Sequence, residues 1–409
     1  MQNYLVGLDI GSKSIKAAVG EIRREGGPAL LNLIKIPSVG VRKGHVDDIS
    51  DLTQALAPVL GEIKKISKSA INNIFLGVGS NDAKIQPSIG VVAVSRADYE
   101  IYQDDIQRAI QSAQAINIAP NRVVLHSIIK EFIVDGVKDI KDPLGMIGNR
   151  LEVNTLIVDA FSPAVKNLTK CVEILGGNLG GLILGPIASA RAVLTKNQRE
   201  LGAVLIDIGF GKTSMCVYEE GKLLHAAIFP IGSGNITNDL AIGLKVAIET
   251  AETVKLSFGT ALAREISTRD SVELAKIDGR TKGLASKKFI ADIIEVRLAE
   301  IFELVNNELK DIGKSGRLPA GIVLVGGGAK LPGIVDLARQ ELKLSTQIGL
   351  PEASGFEIKE EDLAPKLEDP EFVSALGLLL CGSDKASEAK KLKMPFRGAW
   401  RRIFNYLSP

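Results

Sequence analysis

Two segments about 200 residues apart follow one plan. Residues 5–19 read LVGLDIGSKSIKAAV and residues 204–218 read VLIDIGFGKTSMCVY. Each is an apolar strand, then Asp-Ile-Gly, then a tight turn, then an alternating strand, which is the pattern of a β-hairpin. A repeat at about half the chain length points to two similar domains, not to a solenoid of short units. A chain of 409 residues is long enough for two domains that each bury a core. One Asp-Ile-Gly says little; two in equivalent hairpins constrain both halves together.

The residue types suit phosphate. A glycine-rich turn lets backbone N–H groups converge on phosphate oxygens with no Cβ in the way. Gly11 and Ser12 can do this in the first hairpin, and Gly209 and Gly211 in the second. Lys13 and Lys212 add positive charge at the turns, and Thr213 follows Lys212. Asp9 and Asp207, at the strand ends, suit a hydrated Mg²⁺, which keeps several of its waters. A third segment has the same character. Ile322–Val325 is an apolar strand followed by Gly326, Gly327 and Gly328, which permit close approach of a ligand. Pro332 is expected at the first turn of a helix running through Gln340. A helix over Lys245–Phe258 places Glu252 and Lys255 at i,i+3, where they can grip a ribose or pair with each other.

The last fourteen residues are different in kind. Phe396, Trp400, Ile403, Phe404 and Leu407 recur at helical spacing, while Arg397, Arg401, Arg402 and Asn405 take the other face. A helix of about a dozen residues spans roughly 18 Å, too short to cross a bilayer. A basic, aromatic amphipathic helix of this kind can lie in a membrane interface or bind a partner, the plainer alternative being a terminal helix docked on its own domain. From Ser383 to Pro409 there are seven basic and two acidic residues, a net +5 in a chain whose total is +2. The basic charge is therefore concentrated beside the apolar face.

Other classes are disfavoured. No apolar run reaches transmembrane length, and Tyr4–Ile10 enters a strand pattern where a signal peptide would stand. Cys171, Cys216 and Cys381 are far apart and odd in number, which suits a reducing compartment and not a disulfide framework or zinc site. His45, His126 and His225 are equally scattered. The body has no basic patch with interleaved aromatics, so nucleic acid is not expected as a partner.

Together these residues resemble the actin/Hsp70 ATPase superfamily, with two phosphate hairpins and an adenosine loop. Within it the chain resembles the FtsA family of bacterial cell-division actin homologues, over nearly its whole length. The most specific stretch is 100–160, with Val124-Leu125-His126, Glu131-Phe132-Ile133-Val134-Asp135-Gly136 and Ile140-Lys141-Asp142-Pro143-Leu144-Gly145-Met146. It is similar to the inserted subdomain 1C, with a helix over Asp104–Ala115 and a strand over Asn154–Ala160. A second is Pro230-Ile231-Gly232 followed by Ile236-Thr237-Asn238-Asp239-Leu240-Ala241, which adds Gly232 to the nucleotide set.

The resemblance implies an α/β, actin-like two-domain ATPase fold with mixed sheets around a nucleotide cleft. Subdomain 1A would take 1–83 and 161–200, interrupted by the 1C-type insert over 84–160. Subdomain 2A would take 201–235 and 314–370, with 2B over 236–313. A return helix over 371–381, a linker over 382–395 and the amphipathic helix over 396–409 complete the chain; a flexible linker of that length reaches roughly 20 Å. The implied function is an ATP- and Mg²⁺-binding filament former on the cytoplasmic face of the inner membrane, at the division site. It would hold the FtsZ C-terminal peptide at subdomain 2B, associate with itself and with anionic lipids, and recruit later division proteins.

Two departures bear on activity. The family carries Thr, Thr and Asp late in the second hairpin, where this chain has Lys212, Thr213 and Ser214. It also carries Glu directly before the Pro of Pro186-Ile187-Ala188-Ser189-Ala190-Arg191, where Gly185 stands here. Loss of both carboxylates removes candidate bases for hydrolysis, so ATP binding with weak or absent turnover is expected. The first hairpin also has Lys13 before Ser14, the reverse of the common family order. A PilM-like scaffold of type IV pilus assembly is the alternative, since its first hairpin also resembles Ser12-Lys13-Ser14-Ile15-Lys16. A sugar kinase or Hsp70-type ATPase is the other class, and the chain shows no convincing carboxylate for an acceptor hydroxyl.

Overall fold

Both repeated segments are hairpins in the computed structural model, which describes residues 4–23, 27–279, 283–352, 355–358 and 363–391. Tyr4–Ile10 pairs antiparallel with Ser14–Glu21, and Ala203–Ile208 with Thr213–Glu219. The turns close alike. Gly11 N–H donates to the Ser14 carbonyl at 3.1 Å, and Gly209 N–H to the Lys212 carbonyl at 2.9 Å. Register puts Lys16 opposite Asp9 in the first hairpin and Ser214 opposite Asp207 in the second.

Each hairpin sits in the middle of a mixed sheet. The first sheet runs Leu179–Leu184, Ile74–Val78, Tyr4–Ile10, Ser14–Glu21, Ala29–Pro37 and Glu357–Ile358. The second runs Lys222–Phe229, Thr213–Glu219, Ala203–Ile208, Gly321–Val325 and Thr346–Ile348. Central strands covered on both faces read as continuous apolar runs, and Leu5, Val6, Leu8, Val204, Leu205 and Ile206 are fully buried. On the first sheet, Leu52, Leu56, Val59, Leu60 and Ile63 of the Ile49–Ile66 helix join the core of one face.

The return helix, Val373–Lys391, covers the other face. It lies so close to the central strand that a Cβ on Gly7 would meet the Ala375 carbonyl oxygen at 2.1 Å. It also crosses the Gly185–Val193 helix, where a Cβ on Gly377 would stand 1.8 Å from the Ala188 carbonyl oxygen. Glycine is needed at both positions.

The insert is a separate four-stranded sheet, in the order Lys84–Ala93, Arg150–Phe161, Arg122–Val134, Val137–Ile140. The Gln103–Gln114 helix covers one face, with Ile106, Ala109, Ile110 and Ala113 against Phe132, Val134, Leu151 and Val153. Arg122 braces the insert internally. It pairs with fully buried Asp159 and donates to the Asp82 carbonyl at 2.7 Å. The second lobe carries the helices Ser233–Leu244, Ile248–Phe258 and Lys287–Asp311 and a small hairpin, Ser271–Glu273 with Leu284–Ser286.

Three expectations need correction. Lys245 is not helical: it takes a left-handed φ of 56° and ends the Ser233–Leu244 helix, so the next helix starts at Ile248. Pro332 lies outside its helix. A 3₁₀ turn over Gly327–Lys330 follows the strand, and the α-helix is Ile334–Leu342. The return helix does not stop near 381 but continues to Lys391, through most of the expected linker over 382–395. Its extra turns are pinned: Arg191 pairs with Asp384 at 2.7 Å, and Lys385 donates to the Gly180 carbonyl at 3.0 Å. Among the described residues no helix is long and apolar enough to cross a membrane. Phe396, Arg397, Trp400, Arg401, Arg402, Ile403, Phe404 and Leu407 lie outside the described residues.

Candidate functional site

The two turns face each other across a cleft of about 700 Å³, a size suited to a small molecule. The first hairpin contributes Asp9, Gly11, Ser12, Lys13 and Lys16, and the second contributes Asp207, Gly209, Gly211 and Lys212. Gly326, Gly327 and Gly328 line it from the second lobe, as do Glu252 and Lys255. Thus all but two of the residues expected at a nucleotide or metal site lie on its wall.

The two exceptions have plain causes. Thr213 begins the return strand of its hairpin and points into the core, fully buried. Gly232 packs behind the second turn, where a Cβ would meet the Gly209 carbonyl oxygen at 2.6 Å; its neighbour Ser233 lines the cleft instead. Gly232 shapes the turn, and the buried Thr213 hydroxyl has no hydrogen-bond partner among the described residues.

The wall carries six lysines, at 13, 16, 35, 212, 255 and 330, against four carboxylates, at 9, 207, 252 and 371. That balance favours an anionic ligand. Lys16 Nζ lies 3.1 Å from Asp9 Oδ2; burial works against its charge, but Asp9 outweighs burial and holds Lys16 above its ordinary range. Lys212 reaches across the cleft to donate to the Gly79 carbonyl at 3.1 Å, and burial pushes it down. Lys13 crosses the other way to pair with Glu252. The ammonium groups of Lys13 and Lys255 lie 5.2 and 5.4 Å from the centre of the Phe210 ring.

Glu252 collects three donors: Lys13, Thr237 and Lys255, the last at 2.6 Å. Burial raises its carboxyl, but these bonds outweigh that and hold it below the usual range. Asp207 behaves oppositely: burial, then the neighbouring Asp9 charge, hold it above the usual range. Its Oδ2 accepts from Ser374 at 3.0 Å and from Ser189 at 3.2 Å, and the two hydroxyls are 2.8 Å apart. At the far wall Glu371 pairs with Lys35 and with Lys330, the latter at 3.3 Å.

Sequence reasoning missed Lys16, Ser189, Glu371 and Ser374. Hairpin register was the available signal for Lys16, because residues directly opposite in an antiparallel pair share a face. The others arrive from distant segments, and no local pattern marks them. Asp9 and Asp207 are hard oxygen donors on the cleft wall. Among the described residues no cluster of three or more acidic, His or Cys side chains could hold a metal alone. This donor set fits Mg²⁺ held through water and phosphate, and does not fit an all-protein cage.

The family model described as "Cell division protein FtsA" matches residues 204–377, and "SHS2 domain inserted in FTSA" matches residues 81–159, the segment of the extra sheet. Curated proteins named "Cell division protein FtsA" align along most of the chain. The Pseudomonas aeruginosa protein is 32% identical over 95% of this chain and 92% of its own length. The Neisseria meningitidis protein is 34% identical over 92% and 90%, and that of Bacillus subtilis 34% over 91% and 82%. Among solved structures, the "PilM-PilN type IV pilus biogenesis complex" aligns with a TM-score of 0.64 at 19% identity, covering 93% of this chain and 98% of the other. MreB5 of Spiroplasma citri bound to ADP aligns with a TM-score of 0.56 at 13% identity, covering 95% and 98%. At such identities the likeness establishes the actin-like fold alone. Full-length identity above 30% to the division proteins decides the family, and this chain belongs to the FtsA family of actin-like cell-division proteins.

Proposed function

We propose that the protein binds ATP in this cleft and works as a nucleotide-controlled filament former in division. The observation that carries the reading is the pair of equivalent glycine turns facing each other, with lysines on both. The MreB5 structures of the same fold are described as bound to ADP and to AMPPNP, which supports a nucleotide here. Gly11, Ser12, Gly209 and Gly211 offer backbone N–H groups to phosphate. Lys13, Lys16 and Lys212 supply charge, Glu252 and Lys255 meet the ribose, and Gly326–Gly328 let the base approach. Mg²⁺ would be held through water by Asp9 and Asp207 and would screen the phosphate charge.

Turnover is weak or absent in this reading. Gly185 and Ser214 line the cleft, at the two positions where the family resemblance implies carboxylates. Each remaining carboxylate is engaged: Asp9 with Lys16, Asp207 with two serines, Glu252 with two lysines and a threonine, Glu371 with two lysines. A base drawn from this set would act alongside those partners or exchange one of them for the attacking water. Brisk ATP turnover by purified protein, abolished by Asp207→Ala, would sink this part.

The assembled function is to hold FtsZ, through its C-terminal peptide at 236–313, on the cytoplasmic face of the inner membrane at the division site. Residues 396–409 would be the anchor, and later division proteins would join the filament. Electron microscopy on anionic lipid monolayers tests this. ATP should give lipid-bound filaments that recruit the FtsZ peptide; protein that stays unassembled and ignores the peptide contradicts the reading.

A further inference from the structure

Lys212 is the counterpart of Ser14, since the two carbonyls close equivalent turns. Its side chain turns back into a passage made by two glycines. A Cβ on Gly79 would fall 1.4 Å from the Lys212 Nζ, so the ammonium occupies the place of a side chain that Gly79 lacks. A Cβ on Gly44 would meet the Gly79 carbonyl oxygen at 2.2 Å and Lys212 Cδ at 3.5 Å. The same Gly79 carbonyl takes one Lys212 proton at 3.1 Å. An ammonium has three donors, so two remain.

Those donors lie on the cleft wall, in the field of both Asp9 and Asp207, and Lys212 makes a direct ion pair with neither. From the opposite hairpin Lys16 holds Asp9 at 3.1 Å. Both lysines therefore act on the same two carboxylates: Lys16 as an ion pair with Asp9, and Lys212 at longer range on Asp9 and then Asp207, with burial opposing its charge. Two ammonium groups carry the charge of one divalent ion. A polyphosphate entering the cleft meets both ammonium groups already in place, whether or not a divalent ion accompanies it.

We propose that Lys212, together with Lys16, takes over charge neutralisation from the divalent cation, so that the cleft binds a nucleoside polyphosphate without Mg²⁺. The inference rests on the nucleotide-binding reading above. The Mg²⁺ position at Asp9 and Asp207 is compatible with binding but is not required for it.

The test is calorimetric titration of the full chain with ATP, in excess Mg²⁺ and in excess EDTA. Wild-type affinity should differ by less than about threefold between the two, whereas Lys212→Thr should bind at least about tenfold more weakly in EDTA than in Mg²⁺. Gly79→Ala should show the same acquired dependence, because its methyl group displaces the ammonium. Thermal melts of all three, with and without ATP, give a second readout and confirm folding. A wild-type protein that loses about tenfold or more in EDTA overturns this inference and leaves the nucleotide reading standing. Variants that remain as indifferent to EDTA as wild type overturn the role of Lys212. No binding under either condition overturns both readings.

Discussion

Glu252 and Asp207 line the same cleft and are displaced in opposite directions, which makes them separable by pH. Bonds from Lys13, Lys255 and Thr237 hold Glu252 below the usual carboxylate range despite burial. Its contribution to stability is complete above the unfolded value and is lost as pH falls through the depressed folded value. Glu252→Gln leaves the nearly buried Lys255 without its carboxylate, at a cost of about 1–3 kcal/mol. The deficit in melting temperature should be full at neutral pH and narrow under acid. Asp207 is held above the usual range by burial and by Asp9. Its ionised form is a liability that appears as pH rises from the unfolded value through the raised folded one. Asp207→Asn keeps an acceptor for Ser189 and Ser374 and should raise the melting temperature of the nucleotide-free protein at neutral pH. That gain should vanish in acid. Melting curves of both variants over one pH series would show opposite slopes; parallel slopes would contradict the assignment. Phosphate-turn glycines were legible in the sequence because a tight turn restricts residue type. Ser374 was not, because it meets Asp207 from 167 residues away and an isolated serine carries no spacing.

At the scale of elements, the return helix is the part whose role exceeds its sequence signal. Its N-terminal end reaches the cleft through Ser374 and, one turn before it, Glu371. Its middle crosses Gly185–Val193 at Gly377, and its later turns are fixed by Asp384 and Lys385. A methyl group at position 377 has nowhere to go, since the obstacle is the Ala188 backbone and not a rotatable side chain. Gly377→Ala should therefore cost about 1–3 kcal/mol, as overpacking does, and lower the urea midpoint. A neutral result would mean that the two helices separate freely. The strands of both hairpins were legible, because apolar runs ending in Asp-Ile-Gly admit few alternatives. Helix ends were less so. Lys245 looks like a helix former and acts as a left-handed cap, and the Ser-Ala-Lys-Glu composition after Gly382 suits linker and exposed helix equally. Contact with Phe75, Gly180 and Arg191 decides for helix, and those partners are distant in sequence.

For the whole molecule, the long return helix sets where the anchor would begin. It carries the chain to Lys391, so only four positions of the expected 382–395 linker follow it. The proposed anchor faces a narrow balance. Fully burying one large apolar side chain is worth roughly 1.5–3 kcal/mol, so Phe396, Trp400, Ile403, Phe404 and Leu407 at half depth give several. Arg397, Arg401 and Arg402 add about 1 kcal/mol each near anionic lipid. Ordering a dozen residues costs about 1–2 kcal/mol apiece. One tail is then a weak, reversible contact, while many tails on one filament gain by effective concentration, by about 10²–10⁴. Lipid residence would follow assembly, and assembly would follow nucleotide occupancy, with no contact between nucleotide and lipid. Trp400→Glu removes the largest apolar group and places a negative charge against an anionic surface. It should abolish co-sedimentation with anionic vesicles while leaving the melting temperature and ATP affinity unchanged. Continued co-sedimentation would exclude the tail as the anchor. The wild-type protein should bind vesicles cooperatively with its own concentration, and a variant that binds ATP but does not assemble should lose that cooperativity with the tail intact.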